Sequence, residues 1–266
     1  MISRLPGLSL PERAWGVVRR WALAWWRILY LGAVVCVLVL SPSSYGKVTR
    51  RALARHLYLD TAPVLLGFTV LAALISLVLT RIVVVTAISY GLSRYALEMV
   101  IRVLVLELIP LTAALFVAMR CTIPNGTQLA LLRQSGHLAR LSNAGADPIR
   151  VELLPRAVAG VFACITLAAL SCVVALVLAY LGVYGFSLAG LPSYTRMFGH
   201  VFAPAVTLVF VIKTVLFSLA VALIPMAAGL YDTGERTQPD SELGGLARMF
   251  AVLLLIEIGS LVGNYY

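Results

Sequence analysis

Long apolar segments recur along this chain, and they restrict its possible folds more than any other feature of the sequence. They cover about residues 28–40, 58–88, 97–119, 153–183, 201–229 and 246–263. A helix needs about 20 mostly apolar residues to cross the hydrocarbon core of a bilayer. Only 12% of the residues are charged, roughly half the fraction found in soluble domains. We therefore predict an all-α, polytopic membrane protein.

The first apolar segment differs from the other five, because it is short and has basic residues on both sides. Basic residues favour the cytoplasmic side of a membrane, so a crossing would misplace one of the two groups. Tryptophans, which favour the interface, also cluster at its start. We therefore predict that residues 1–45 form an interfacial helix and a re-entrant elbow on the cytoplasmic face. The basic region is too long for a cleaved signal peptide, which is the competing interpretation.

Residues 46–266 are then predicted to form a five-span domain, with the N-terminus of the protein in the cytoplasm. The formal charge of +10 indicates cytoplasmic loops and contact with anionic lipid rather than nucleic-acid binding. Loops 120–156 and 230–245 are placed inside, and the connection 184–200 is placed outside. The turn 89–96 is also assigned to the outside, although Arg81, Arg94 and Arg102 surround it.

The loop between the second and third of these spans is long and contains a basic segment. We predict one cytoplasmic helix over about residues 127–144, because Arg133, His137 and Arg140 follow the i, i+4, i+7 spacing of a single helix face. A basic face is often only a solvated surface. The length of this loop and its capped ends instead favour contact with a soluble partner.

The predicted helix has a clear start and stop in the sequence. Pro124-Asn125-Gly126 is predicted to end the preceding span, with Asn125 as the N-cap of the new helix. Gly145 is suited to ending that helix. Asp147 and Pro148 then form a typical N-cap and first helical position for the next span.

Four motifs resemble one known family. "DPIRVELLPR", which contains Asp147, Arg150 and Arg156, resembles the hallmark of MlaE/YrbE-type permeases, the membrane subunits of ABC transporters that move phospholipids with MCE-domain proteins. "HLYLDTAPVLL", "LELIPLTAALFVAMR" and "VIKTVLFSLAVALIPMAAGLYD" resemble further family motifs in the same order, over about residues 52–262. The chain departs from the family where Gly136-His137 replaces a usual Glu-Gln pair, and in the segment "CTIPNG" after the second span.

The resemblance implies both a function and a set of partners. It implies a homodimeric permease of the bacterial inner membrane, bound to two ATPase subunits and to a periplasmic MCE ring. The transported molecule would be phospholipid or a similar amphiphile, exchanged between the inner membrane and an MCE-type carrier. The candidate residues for coupling to the ATPase are Arg133, His137, Arg140, Asp147, Arg150 and Arg156.

The chain has no nucleotide-binding motif of its own. A P-loop requires a glycine-rich loop followed by Lys-Ser or Lys-Thr, and neither Lys47 nor Lys213 has that context. We therefore expect ATP hydrolysis in a separate subunit and no catalytic residue in this chain. The four cysteines and three histidines are scattered, so we predict no metal site and no cofactor.

Three charged residues, Glu107, Lys213 and Glu257, fall within apolar spans. A charge at mid-bilayer costs about 2.5–3.5 kcal/mol on insertion scales, so such residues usually face the protein interior or an aqueous cavity. One interpretation is a structural ion pair, or a protonated Glu107 that satisfies the Leu106 carbonyl freed by Pro110. The other is a lipid head-group cavity between two copies of the chain, where Lys213 meets phosphate.

Two other classes of function compete with a lipid-transporting permease. One is a scaffold that anchors an envelope complex without transporting anything. The other is an intramembrane enzyme, which would need polar groups clustered at one depth, and the sequence shows no such arrangement.

Overall fold

The computed structural model describes residues 10–41, 46–231 and 238–265. The described part is almost entirely helical and contains no β-strand, which confirms the all-α prediction. Its α-helices are α1 Leu10–Leu40, α2 Lys47–Ser89, α3 Ser93–Val100, α4 Ile109–Val117, α5 Ile123–Gln134, α6 His137–Asn143, α7 Leu154–Tyr184, α8 Leu191–Val201, α9 Pro204–Tyr231 and α10 Gln238–Tyr265.

Four shorter helical pieces connect some of these helices. Wider π-helical turns occupy Ile101–Leu108, Ala118–Thr122 and Ile149–Leu153, and a 3₁₀ turn covers Leu188–Gly190. Two of the π-helical turns join α3, α4 and α5 end to end. Residues 93–134 therefore form one continuous helical segment.

Six helical segments within the described residues are long and apolar enough to cross a membrane, so the chain is a polytopic membrane protein as predicted. They are Trp21–Leu40, Thr49–Ser89, Tyr95–Gln134, Ile149–Tyr184, Pro204–Tyr231 and Gly244–Asn264. The first corresponds to the predicted elbow. Its length permits a crossing, so the elbow and the boundary at residue 45 stay predictions, and residues 42–45 lie outside the described part.

Small residues bring the helices of the bundle close together. Ala113 and Ala114 of α4 are fully buried in a cluster with Ala163 of α7 and Phe217 of α9. A Cβ atom added to Gly160 would lie 2.8 Å from Thr122 Cγ2. Small residues at these crossings allow close backbone approach, which is the usual basis of helix packing in membranes.

The bundle has two ends, which we name after the short helices found there. α7 begins at the α6 end and finishes at the α8 end. α9 runs in the opposite sense, because its last residues approach α5, which leads into α6: Arg133 Nη1 donates to the Leu230 carbonyl at 2.7 Å. These two ends provide a frame for locating the candidate sites.

α1 is a single uninterrupted helix that packs at the α6 end. Its buried residues Leu31, Val35 and Leu38 share a cluster with residues at the start of α7 and in the last third of α9. Arg27 Nη1 also donates to the Tyr231 carbonyl at 3.4 Å. The described part of α1 thus finds its buried partners near one end of the bundle.

The predicted helix break at Pro124-Asn125-Gly126 is wrong. The helix continues through these residues, because the π-helical turn Ala118–Thr122 lies just before Pro124 and relaxes the regular ladder that a proline would interrupt. Asn125 caps no helix. It is buried and donates through Nδ2 to Asp60 Oδ2 at 3.0 Å.

Gly126 serves close packing instead of ending a helix. A Cβ atom at Gly126 would lie 2.6 Å from the Pro225 carbonyl oxygen, and one at Gly229 would lie 2.2 Å from the Gly126 carbonyl oxygen. Real Cβ contacts are longer than 3.0 Å. The backbones of α5 and α9 therefore cross at a point where only glycine fits.

The predicted single helix over 127–144 is also wrong, because it is interrupted. α5 ends at Gln134 and α6 begins at His137, with Gly136 between them at φ +71°. That left-handed conformation suits glycine and ends the regular helix. The other two local predictions are confirmed: Gly145, at φ +77°, follows α6, and Asp147 Oδ1 accepts from the Ile149 amide at 3.0 Å as an N-cap.

Candidate functional site

α6 and its two flanking turns form an exposed surface at one end of the bundle. None of the residues of α6 is buried. The left-handed glycines at both ends of α6 and the Asp147 cap fix the path of the chain on either side of it. Residues 133–156, which we call the coupling segment, are therefore ordered by their own local chemistry, and α6 within them is presented outward.

The three residues of the predicted basic face have three different partners. Arg133 donates to the Leu230 carbonyl near the end of α9, where a cation is favourable because of the helix dipole. His137 Nε2 lies 3.6 Å from Glu152 Oε1. Arg140 Nη2 donates to the Ser135 carbonyl at 2.8 Å. Because α5 and α6 are separate helices, the face expected from one continuous helix is divided.

Asp147 and Arg150 remain at the surface of the coupling segment. Asp147 Oδ2 lies 3.6 Å from Arg150 Nε, and close to half of each side chain is exposed. An exposed pair of this kind contributes about 0–1 kcal/mol to stability. Both residues are therefore accessible to a partner at little energetic cost.

Arg156 differs from the other predicted coupling residues because it is buried, with 7% of its surface exposed. Its Nη1 forms an ion pair with Glu152 Oε2 at 2.5 Å. Since Glu152 also faces His137, this carboxylate links α6 to the first turns of α7. Arg156 acts inside this connection and is not available at the surface.

A second polar group, which was not predicted from the sequence, lies beside this connection. Asp60 of α2 accepts from Asn125, and the Cys121 thiol donates to the Asp60 backbone carbonyl at 3.1 Å. His56, one turn before Asp60, is within electrostatic reach of Arg156 and Glu152. The signal was present in "HLYLD", which places an imidazole and a carboxylate four residues apart in α2.

The three charges predicted inside the spans meet at one point of the bundle. Glu107 comes from the π-helical turn Ile101–Leu108, Lys213 from α9 and Glu257 from α10. Lys213 Nζ forms ion pairs with Glu107 Oε2 and with Glu257 Oε2, the latter at 2.9 Å. The lysine side chain is 1% exposed, whereas the two acids are 12% and 15% exposed.

Lys213 also provides a donor for the Leu106 carbonyl, which lacks its helical donor because Pro110 has no amide hydrogen. Lys213 Nζ donates to the Leu106 carbonyl at 3.2 Å, so the lysine, and not a protonated Glu107, satisfies it. Glu107 Oε1 additionally accepts from Asn264 Nδ2 at 3.3 Å. Lys213 Nζ therefore donates to Glu107 and to the Leu106 carbonyl and forms an ion pair with Glu257, in a triad of one basic and two acidic residues.

The possible metal ligands and the Gly259-x-x-x-Gly263 motif are the two remaining features of the sequence. Among the described residues, no group of three or more His, Cys, Asp or Glu side chains is suited to a metal ion. A Cβ atom at Gly259 would meet nothing within 4 Å, and one at Gly263 would touch only the Val209 side chain. The Gly259-x-x-x-Gly263 motif thus makes no close helix contact within the described part of this chain.

Comparison with known proteins adds the family. A search of curated proteins finds no match to the chain. The family model for permease MlaE matches residues 53–261. The matched region begins in α2 and includes the coupling segment and the Glu107–Lys213–Glu257 triad. The chain belongs to the MlaE permease family.

Proposed function

We propose that this permease moves phospholipid, or a similar amphiphile, between the bacterial inner membrane and a periplasmic MCE-domain carrier. A separate ATPase supplies the energy, and two copies of the chain form the transport unit. The family assignment supports the class of transporter. The observation that carries the proposal is the coupling segment, an exposed helix joined by defined contacts to two spanning helices.

The coupling segment has the properties needed to transmit movement. Its outer surface is exposed for an ATPase to contact, with Arg140, Asp147 and Arg150 accessible. Its inner side is fixed twice, through Arg133 to the end of α9 and through His137 to Glu152 of the turn before α7. A force applied to α6 would therefore reach two spans directly. A loop that only contacts solvent would not require the Arg133–Leu230 and His137–Glu152 contacts.

The membrane triad has a more restricted role in this proposal. Lys213 already faces two carboxylates, so a lipid phosphate would have to displace one of them. The acids, which are the more exposed members, are the better candidates to border a lipid pathway. We propose that Lys213 holds Glu107 and Glu257 in place, and that any lipid contact at this site is made by the acids.

The test of the coupling surface is retention of the ATPase. We expect Arg140→Glu together with Arg150→Glu to reduce the ATPase that co-purifies with the permease at least tenfold, because both guanidinium groups are exposed and their reversal repels an acidic docking site. Arg196→Glu is the matched control: it reverses an exposed arginine at the opposite, α8 end of the bundle. Equal ATPase recovery from the wild type and the double variant would exclude this surface as the docking site.

The scaffold alternative predicts the same binding result but a different activity. A scaffold would retain the ATPase without moving lipid. ATPase binding must therefore be measured together with ATP-dependent lipid movement to distinguish a transporter from a scaffold.

A further inference from the structure

Three large apolar side chains are exposed at the α8 end of the bundle, outside the spanning helices. Phe186 is 94% exposed, Leu188 78% and Leu191 47%. They follow the end of α7 at Tyr184 within seven residues. Such residues would be buried in a soluble loop, so their exposure indicates contact with something beyond this chain.

The segment that carries these side chains is held in a fixed conformation. The Tyr180 hydroxyl donates to the Ser187 carbonyl at 2.5 Å, and Ser187 Oγ accepts from the Ala189 amide at 3.3 Å. Gly190 is buried, and a Cβ atom there would lie 2.4 Å from the Tyr184 ring. The apolar side chains are therefore presented outward by a braced turn.

α8 is fixed to α7 in a similar way. The Tyr194 hydroxyl donates to the Leu176 carbonyl at 2.9 Å, and the Tyr194 ring packs edge-on against Tyr180 at 5.2 Å between centroids. Val201, the last residue of α8, is fully buried. The braced turn and α8 thus form one rigid element, residues 185–201, which we call the outer platform.

The outer platform carries one formal charge, the positive charge of Arg196, and no acidic residue. Arg196 and His200 are exposed, and the sequence contains no acidic residue between Glu152 and Asp232. The neighbouring helix α3 contributes Glu98, which is already paired with Arg102 at 3.1 Å. An exposed apolar turn beside an arginine with no carboxylate of its own matches an anionic, amphiphilic surface.

We propose that the outer platform is an interfacial membrane anchor, which inserts Phe186, Leu188 and Leu191 into the adjoining lipid leaflet. Phe186 is two residues beyond the end of α7, so it lies within a few ångströms of the level at which this spanning helix ends. Tyrosines at that level and an apolar edge beside a basic residue are typical of interfacial elements. Arg196 then contacts lipid phosphate.

This anchor requires only that the protein spans a membrane, and it is independent of the transported molecule and of the ATPase. It assigns a lipid surface, and not a protein partner, to the exposed apolar turn. A lipid surface and a protein partner can be distinguished with the isolated permease, because only lipid would cover the turn when no other protein is present.

The experiment places an environment-sensitive fluorophore on the full-length permease in nanodiscs. Leu188→Cys and Ser142→Cys are labelled separately in a chain whose four native cysteines are replaced. Ser142 is exposed on α6 and serves as the water-exposed control. We expect the label at residue 188 to be quenched by lipids that carry a nitroxide near the head group and to be protected severalfold from aqueous iodide, relative to residue 142.

A charge variant tests the role of Arg196. We expect nanodiscs rich in anionic lipid to increase the lipid quenching at residue 188 relative to zwitterionic nanodiscs, and Arg196→Gln to remove that increase. One basic residue near an anionic surface shifts such an equilibrium roughly fivefold. Equal increases with and without Arg196→Gln would overturn the phosphate contact.

One result of the quenching experiment would overturn the membrane anchor as a whole. It is iodide quenching at residue 188 as strong as at residue 142, with no quenching by nitroxide lipids. Protection that appears only after a periplasmic partner protein is added would also exclude the anchor, and it would assign the turn to that protein.

Discussion

Lys213 is the residue whose environment explains most about the interior of the bundle. Its ammonium group meets two carboxylates and the Leu106 carbonyl, and only 2% of the residue is exposed. Removing one member of a buried ion pair leaves an uncompensated charge, which costs about 3–5 kcal/mol. Loss of Lys213 alone is therefore expected to be more harmful than loss of all three charges.

We expect Lys213→Ala to reduce the yield and thermal stability of the purified permease, because Glu107 and Glu257 then face each other without a cation. Replacing all three charges, with Lys213→Met, Glu107→Gln and Glu257→Gln, should restore most of the yield. The measurement is complex yield and bound phospholipid for both variants. Normal yield with less bound lipid would contradict a structural role and assign Lys213 to the lipid pathway.

Gly229 provides the second prediction at this scale, because the crossing of α5 and α9 excludes any side chain there. We expect Gly229→Ala to destabilise the permease by about 1–3 kcal/mol, the usual cost of overpacking. Gly67→Ala is the matched control, since a Cβ atom at this span position meets nothing within 4 Å. Equal midpoints of thermal unfolding for the two variants would contradict the close crossing.

At the scale of elements, the sequence was informative wherever local chemistry decides the structure. Apolar length located six apolar helical segments, of which the first is predicted to be an elbow and the other five to be spans. Gly145 and Asp147 were identified correctly because a left-handed glycine and an aspartate cap act within a few residues. These features need no knowledge of the rest of the fold.

The helix break predicted at Pro124-Asn125-Gly126 failed because the decisive contacts are distant in sequence. Asn125 is held by Asp60, and Gly126 is required by Pro225 and Gly229. The π-helical turn before Pro124 accommodates the proline without ending the helix. Local turn chemistry predicted a break, whereas the tertiary contacts favoured a continuous helix.

At both candidate sites, the sequence predicts which residues are charged, whereas tertiary packing decides which residues they contact. The cost of burying charge predicted that Glu107, Lys213 and Glu257 need partners, but the register of α9 against α10 decides that they meet one another. At the coupling segment, Glu152 could not be identified from spacing, since its partner His137 lies across the turn that follows α6. Sequence thus located the charges, while packing determined the pairs.

At the scale of the whole molecule, the number of crossings depends on whether α1 spans the membrane or turns back within it. Its buried residues contact the start of α7 and the last third of α9. A helix that crossed the bilayer beside α9 would be expected to continue to the α8 end. The predicted elbow requires this one-ended packing of Leu31, Val35 and Leu38, and the elbow itself stays a prediction.

Cysteine accessibility tests this topology. We expect Ser43→Cys, in a chain without native cysteines, to be labelled from the same side as Ser142→Cys on α6 and from the side opposite to Ser193→Cys on α8. Ser43 lies outside the described residues, whereas the other two positions are exposed in the structure. Labelling of Ser43→Cys together with Ser193→Cys would show a sixth crossing and contradict the elbow.

The proposed function depends on α6 transmitting the work of a separate ATPase to a lipid-moving bundle. The most direct measurement is transfer of labelled phospholipid between proteoliposomes, containing the purified permease complex, and an MCE-domain acceptor, with and without ATP. We predict ATP-dependent transfer that is lost in the Arg140→Glu, Arg150→Glu variant. An assembled complex that hydrolyses ATP but moves no lipid in either direction would contradict this function and favour a scaffold.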